Sequence, residues 1–393
     1  MLKNHNRNII RLYVIGILLM YSGCSFSQYT IRMQLVQLPA GHVGDSVFIS
    51  GNFNNWNPAS GDGVFKAVGD NFHLELNNLS AGEYQFKFTR GNWGKVEVDK
   101  KGLSIENRTI KLISDTVIQI AINSWMDDFP PFVKEHTTSP NVHIIDTAFY
   151  IPQLDRTRRV WLYLPPDYAK STRRYPVIYM NDGQNLFDDY TAPFGEWAVD
   201  ESIDSLVKKN KPACIVVGID NGEKSMNEYN PYEYKDFGKG EGDAYVDFLA
   251  KSLKPYIDKQ YRTMPGSKTT VVAGSSMGGL ISYYAMLKYP SVFGKGGIFS
   301  PAFHTAPQIQ HLTDSLGKQL TGKIFFYMGE KEGKENIDEM IDVTETLGRK
   351  SSAIVYIVLD PDAERNEAAW RKWFPDFYEW TLANGFNDVI KVN

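Results

Sequence analysis

Between residues 160 and 358 the sequence repeats one pattern: short, continuous apolar runs at 160–164, 177–180, 214–217, 270–273, 297–299, 324–327 and 354–358, most of the later ones separated by stretches of helical length. A strand that is apolar on both sides has to be covered on both faces, so the pattern predicts an α/β fold, a mostly parallel sheet with helices on each side. Ligands of such sheets sit beyond the carboxyl ends of the strands, which limits where chemistry can be found.

Upstream the pattern changes. From 29 to 122 short runs alternate between apolar and polar residues, with Ile31, Met33 and Leu35 on one face, as are Phe72, Leu74 and Leu76, and Tyr84, Phe86 and Phe88. Turn residues such as Asn57-Pro58 and Gly61-Asp-Gly63 separate them, so a half-buried antiparallel β-sandwich of immunoglobulin-like type is expected here. Lys3, Arg7 and Arg11 precede the apolar run 12–20, and Ser22-Gly23 lead to Cys24. A basic head, a run too short to span a bilayer and a small-residue exit predict a secretory signal. The expected organisation is therefore a signal at 1–23, a β-sandwich module at 24–124, a proline-rich and polar linker at 125–141, and the α/β domain at 142–393.

Composition excludes several classes. Lys plus Arg number 42 against 46 for Asp plus Glu, a net charge of −4, which gives no global attraction to nucleic acid. Two cysteines, Cys24 and Cys214, cannot form a disulfide framework or a cysteine-rich zinc site, and Cys214 lies in an apolar run that reads as a buried strand. No His-Glu-x-x-His pair points to a metal, and neither metal nor cofactor is expected.

The chemistry centres on Gly274-Ser-Ser-Met-Gly278, a G-x-S-x-G sequence that follows the run 270–273 and precedes a helical stretch at 280–287. Glycines at both flanks let the chain turn sharply from strand to helix and raise the Ser276 hydroxyl above the sheet, with the Met277 amide aimed at an oxyanion. Ser276 is the expected nucleophile.

The segment from about 144 to 382 resembles the esterase family of α/β-hydrolases that includes feruloyl and acetyl xylan esterases, esterase D and siderophore esterases. The matching stretches, in order, are Tyr175-Pro-Val-Ile-Tyr-Met-Asn-Asp-Gly-Gln-Asn-Leu-Phe187, Glu228-Tyr-Asn-Pro231, Ala273-Gly-Ser-Ser-Met-Gly-Gly279 and Phe299-Ser-Pro-Ala-Phe303. The resemblance implies a second oxyanion amide in the 182–186 stretch, taken as Gln184, and an acid in Tyr327-Met-Gly-Glu-Lys-Glu332, taken as Glu332 with Glu330 as the alternative. Relatives carry a histidine near the end, in a stretch resembling Glu-His-Asn-Glu-Ala-Ala-Trp. This chain reads Glu364-Arg-Asn-Glu-Ala-Ala-Trp370, with Arg365 in the histidine's place. A guanidinium has no lone pair to accept a proton and stays charged, so it cannot activate a serine. His304, just after 297–303 and on the rim expected for Ser276, is the candidate replacement base.

The sandwich sequence carries Ser50-Gly-Asn-Phe-Asn-Asn-Trp56, Tyr84-Gln-Phe-Lys-Phe88 and Arg90-Gly-Asn-Trp93, which resemble the glycogen- and starch-binding modules. The resemblance implies glucan contacts from Trp56, Lys87 and Trp93, and indoles do stack on sugar rings. Cys24 similarly resembles the acylated cysteine of bacterial lipoproteins, which implies attachment to a membrane.

Three functional readings follow. The first is an exported serine esterase, periplasmic, on the outer membrane or secreted, that removes acyl or feruloyl groups from polysaccharide. The second is a surface glycan-binding protein whose hydrolase domain has lost turnover at Arg365, and the third is a siderophore esterase.

Overall fold

The computed structural model describes residues 28–68, 71–130 and 135–382. The signal at 1–23 and Cys24 lie outside them. The chain divides into two units, Met1–Val133 and Lys134–Asn393.

In the first unit, alternation puts Ile31, Met33, Leu74, Leu76, Phe86 and Phe88 into one core, joined by Ile49, Leu112 and Ile120. The strands are β1 (Gln28–Gln37), β2 (Phe48–Gly51), β3 (Lys66–Val68), β4 (Asn71–Ser80), β5 (Gly82–Thr89), β6 (Glu97–Val98), β7 (Arg108–Leu112), β8 (Thr116–Ala121) and β9 (Ser124–Trp125). They form a four-stranded sheet in the order β3-β4-β1-β8, a three-stranded sheet β2-β5-β7 and the pair β6-β9. One pairing departs from the antiparallel expectation: β8 runs parallel to β1, with Met33 beside Ile118. The unit also extends past residue 124. Trp125 is fully buried in its core, and a tryptophan of that size removed from water anchors the start of the segment expected to be linker. Further along that segment, the Ser139 N–H donates to Asp200 in the second unit at 2.7 Å.

The second unit is built on one eight-stranded sheet. Its strands are β10 (Val142–Ile151), β11 (Arg156–Tyr163), β12 (Val177–Asn181), β13 (Ile215–Ile219), β14 (Thr270–Ser275), β15 (Lys295–Phe299), β16 (Lys323–Gly329) and β17 (Ile354–Asp360). Their order is β10-β11-β13-β12-β14-β15-β16-β17. β10 and β11 pair antiparallel at one edge and the remaining strands run parallel. Every residue of β12, β13 and β14 is buried, as strands covered on both faces require.

The helices are α1 (Val199–Lys208), α2 (Ser225–Glu228), α3 (Gly242–Phe248), α4 (Lys254–Gln260), α5 (Met277–Lys288), α6 (Gln308–Leu316), α7 (Lys334–Lys350) and α8 (Glu367–Leu382). A π turn at Leu249–Leu253 joins α3 to α4. Two apolar layers enclose the sheet: Leu280, Ile281 and Phe248 belong to one, Trp370, Phe374 and Phe377 of α8 to the other. Ala369, Trp373, Phe377 and Trp380, at helical spacing along α8, pack in or against this second layer. Cys214 is fully buried, and burial pushes its thiol up to about 12.

Candidate active site

The turn between β14 and α5 positions Ser276. Its backbone stands at φ 55° and ψ −121°, a conformation that non-glycine residues adopt at an energetic cost of roughly 1–3 kcal/mol. Close packing holds it there. A Cβ on Gly274 would lie 2.8 Å from the Gly278 backbone, and one on Gly279 would lie 2.8 Å from the Phe299 carbonyl, so bare glycine is needed where helix and strand meet. Asn181, at the end of β12, fastens the bend from behind. Its Nδ2 donates to Ser282 Oγ at 2.9 Å and to the Gly278 carbonyl at 3.2 Å, while the Tyr245 hydroxyl donates to its Oδ1 at 2.7 Å.

Ser276 lines a cleft of about 420 Å³ with Met277, His304, Thr305, Arg365 and residues of the 226–237 stretch. The cleft lies at the carboxyl ends of the strands, as a parallel sheet demands. Met277 opens α5, so its amide belongs to the first turn, whose N–H groups have no partner within the helix. After the left-handed turn at Asp182 (φ 60°), the Gln184 side chain accepts from the Asn221 N–H at 3.1 Å, and the residue is not among those lining the cleft. Burial pushes the neighbouring Asp182 carboxyl up to about 7, with Asn221 opposing.

Arg365 reaches Ser276 directly. Its Nη2 donates to Ser276 Oγ at 2.9 Å and to the Ser300 carbonyl at 2.8 Å. Behind it stands Glu332, whose side chain is 1% exposed, with Oε2 3.6 Å from Arg365 Nη1. Glu332 Oε1 accepts from the Ser300 hydroxyl at 2.6 Å and from the Gly329 N–H at 2.8 Å, while Oε2 is buried with no hydrogen-bond partner. Serine, guanidinium and carboxylate are therefore aligned as serine, imidazole and carboxylate are in a hydrolytic triad. Burial holds Arg365 below the ordinary guanidinium value and Glu332 opposes the shift, but arginine remains a cation throughout the pH range of proteins.

Glu330, the alternative acid, is exposed. His304 shares the cleft with part of its surface exposed; partial enclosure of the ring by the cleft and then the Arg365 charge hold its imidazole below its ordinary value, against a hydrogen bond to Asn336. Among the described residues no histidine hydrogen-bonds Ser276.

Sequence reading assigned no role to Ser300, which organises the site. With φ at 42°, it donates its hydroxyl to Glu332, accepts from Trp370 Nε1 at 2.9 Å and offers its carbonyl to Arg365. Its only signal was its place in Phe299-Ser-Pro-Ala-Phe303. Tyr234 and Phe237, whose rings stack at 5.4 Å, form one wall of the cleft.

In the first unit, the rings of Trp56 and Trp93 lie 6.3 Å apart with a 40° tilt. Trp93 is 42% exposed and Trp56 half-buried. Lys87 pairs with Ser50 on the side of β5 opposite Phe86 and Phe88.

Comparison with known proteins places this architecture. The family model described as "Putative esterase" matches residues 151–379. The uncharacterized protein YbbA of Bacillus subtilis is 31% identical over 186 residues, covering 45% of this chain and 70% of the relative. An endo-1,4-beta-xylanase/feruloyl esterase of Xylanibacter ruminicola is 24% identical over 219 residues, 54% of this chain, but this chain spans only 28% of that protein's length. Among solved structures, the enterobactin esterase FES from Shigella flexneri has the same fold, with a TM-score of 0.51 and 16% identity over 90% of this chain and 92% of its own.

Proposed function

This chain belongs to the esterase family of α/β-hydrolases, and on that footing we propose that its second unit recognises acyl esters in the family's cleft while its hydrolytic step is disabled. One observation carries the proposal: Arg365 donates to Ser276 Oγ at 2.9 Å from the position where relatives are expected to hold histidine. Attack on an ester needs the serine proton to leave for a base, and a hydrogen-bond donor fixed on the oxygen cannot take it. Ser276 in its bend, the Met277 amide and the Tyr234 and Phe237 wall would still receive a carbonyl and its acyl group. Arg365 would add a positive charge beside the carbonyl oxygen.

The proposed ligand is an acylated or feruloylated polysaccharide, a reading supported by the name of the xylanase/feruloyl esterase relative and by the Trp56–Trp93 pair in the first unit. In this reading the chain is exported by its 1–23 signal, held at a membrane through Cys24, and binds glycan through Trp56, Lys87 and Trp93. Soluble protein incubated with feruloylated xylo-oligosaccharide is expected to bind it and return it intact by chromatography. Release of ferulate in amounts that depend on Ser276 would contradict the proposal. In glucan pull-down, Trp93→Ala is expected to weaken retention by about tenfold, in line with the roughly 1–3 kcal/mol lost with an aromatic stacking face. Equal retention of wild type and variant would remove sugar stacking from the account.

A second reading, an active esterase with His304 as base, is favoured by the position of that imidazole in the same cleft and by its neutral form at pH 7. It predicts turnover lost in His304→Ala.

A further inference from the structure

The cleft around Ser276 holds a donor where a hydrolase holds a proton acceptor, and that changes which ligand suits it. In a working triad the serine proton points at the imidazole. Here the Ser276 oxygen accepts from Arg365 Nη2 at 2.9 Å, and among the described residues its own hydroxyl donates to nothing. The Met277 N–H, in the unpaired first turn of α5, likewise has no acceptor among the described residues. Both hydrogen bonds of the Arg365 guanidinium leave from Nη2, to Ser276 Oγ and to the Ser300 carbonyl, so its donors at Nε and Nη1 are left over. Glu332 balances the charge without occupying them: Oε2 stands 3.6 Å from Nη1, beyond hydrogen-bond reach, and Oε1 is taken by the Ser300 hydroxyl and the Gly329 N–H.

Hydroxyl, amide and guanidinium thus offer hydrogen to one cleft of about 420 Å³. An ester brings a single good acceptor, its carbonyl oxygen, to such a set. A carboxylate brings both of its oxygens and a full charge, and hydrogen bonds to an ionised acceptor are roughly twice as strong. The remaining wall fits a flat aromatic body: Tyr234 and Phe237 stack with their rings 30° apart, beside Met226 and Ala302. That wall is fixed before any ligand arrives, since Asn227 Nδ2 donates to the Phe237 carbonyl at 2.6 Å and Asn230 Nδ2 to the Thr305 carbonyl at 2.8 Å. Asp236, the only carboxylate among the described residues lining the cleft, is exposed, where water and salt screen its repulsion.

We propose that the cleft binds free aromatic carboxylates in preference to the esters from which they derive, with the two carboxylate oxygens held by Arg365, Ser276 and the Met277 N–H. The inference rests on the reading of a disabled hydrolytic step, because a base at Ser276 would claim the proton that here faces the ligand. It makes the chain a receptor for the acid that an ester-cleaving reaction elsewhere releases.

Calorimetric titration of the full chain with ferulate and with methyl ferulate at pH 7.5 tests this, the two probes differing at the carboxyl group alone. Ferulate is expected to bind at least about tenfold more tightly, a margin that one charge-assisted contact supplies. Arg365→Met is expected to abolish that margin while changing methyl ferulate by less than about threefold. Asp236→Asn, at an exposed position, should strengthen ferulate by about threefold and leave the ester unchanged, which keeps the test open if Arg365→Met fails to fold. Equal affinity for the two probes, with the ester recovered intact, would overturn the inference and leave ester recognition standing. A ferulate margin indifferent to both substitutions would place the acid outside the cleft and overturn it as well. Ser276-dependent release of ferulate from the methyl ester would instead overturn the disabled step, and the inference with it.

Discussion

Arg365→His is expected to raise aryl acetate hydrolysis by about 10³-fold or more over wild type, because it returns a proton acceptor to a site that otherwise retains its parts. Removing a triad histidine takes away on the order of 10⁶ in turnover, and an unoptimised replacement should recover a substantial fraction of that on a logarithmic scale. The socket is ready: Glu332 Oε2 is buried without a hydrogen-bond partner, facing the position from which an imidazole N–H would donate. The second ring nitrogen would then face Ser276 Oγ, where Arg365 Nη2 now stands. The gained rate should depend on Ser276, vanishing in Arg365→His/Ser276→Ala. It should also fall as pH drops below about 6.5, since only the neutral imidazole accepts the proton. Stopped assays across pH 5 to 8 would check both features.

Glu332→Ala is the substitution expected to do most damage to stability. It strips the counter-charge from Arg365, whose side chain is 26% exposed, and leaves the Ser300 hydroxyl and the Gly329 N–H without their carboxylate oxygen. Breaking such a pair by removing one partner costs about 3 kcal/mol, which in a unit of this size lowers the melting temperature by roughly 6–12 °C. Glu332→Gln keeps an acceptor for Ser300 and Gly329 and should lose about half as much. Adding Arg365→Met to Glu332→Ala should return part of the loss, because the uncompensated cation goes with it. Thermal unfolding of wild type, Glu332→Ala, Arg365→Met and the double variant measures the coupling directly.

The architecture was legible because burial on both faces leaves a plain signature. Continuous apolar runs at 177–180, 214–217 and 270–273 could only be central strands, and they are β12, β13 and β14. The Ser276 bend was legible because glycines cluster where helix and strand backbones touch. What stayed hidden depends on distance along the chain or on local geometry. Ser276 and Arg365 are 89 residues apart, and only the resemblance of the closing segment to a family pattern linked them. Choosing between Glu330 and Glu332 required the short turn Glu330–Glu332, which exposes the first and folds the second back to the Gly329 N–H. Ser300 carried no signal of its own, since its importance comes from a left-handed backbone that turns hydroxyl and carbonyl toward two different partners. The loop that carries Gln184 takes its direction from the left-handed Asp182, and no pattern of side chains reveals that turn. Trp125 stood alone outside any alternating run, so its burial in the first unit was invisible until the sandwich was assembled.

The most direct measurement compares steady-state hydrolysis of 4-nitrophenyl acetate by wild type and Ser276→Ala at pH 7.5. A donor fixed on the serine oxygen predicts rates that agree within about threefold, both set by the cleft and not by nucleophilic attack. A wild-type rate exceeding that of Ser276→Ala by about 100-fold or more would mean that a base reaches Ser276 after all, and would contradict the account.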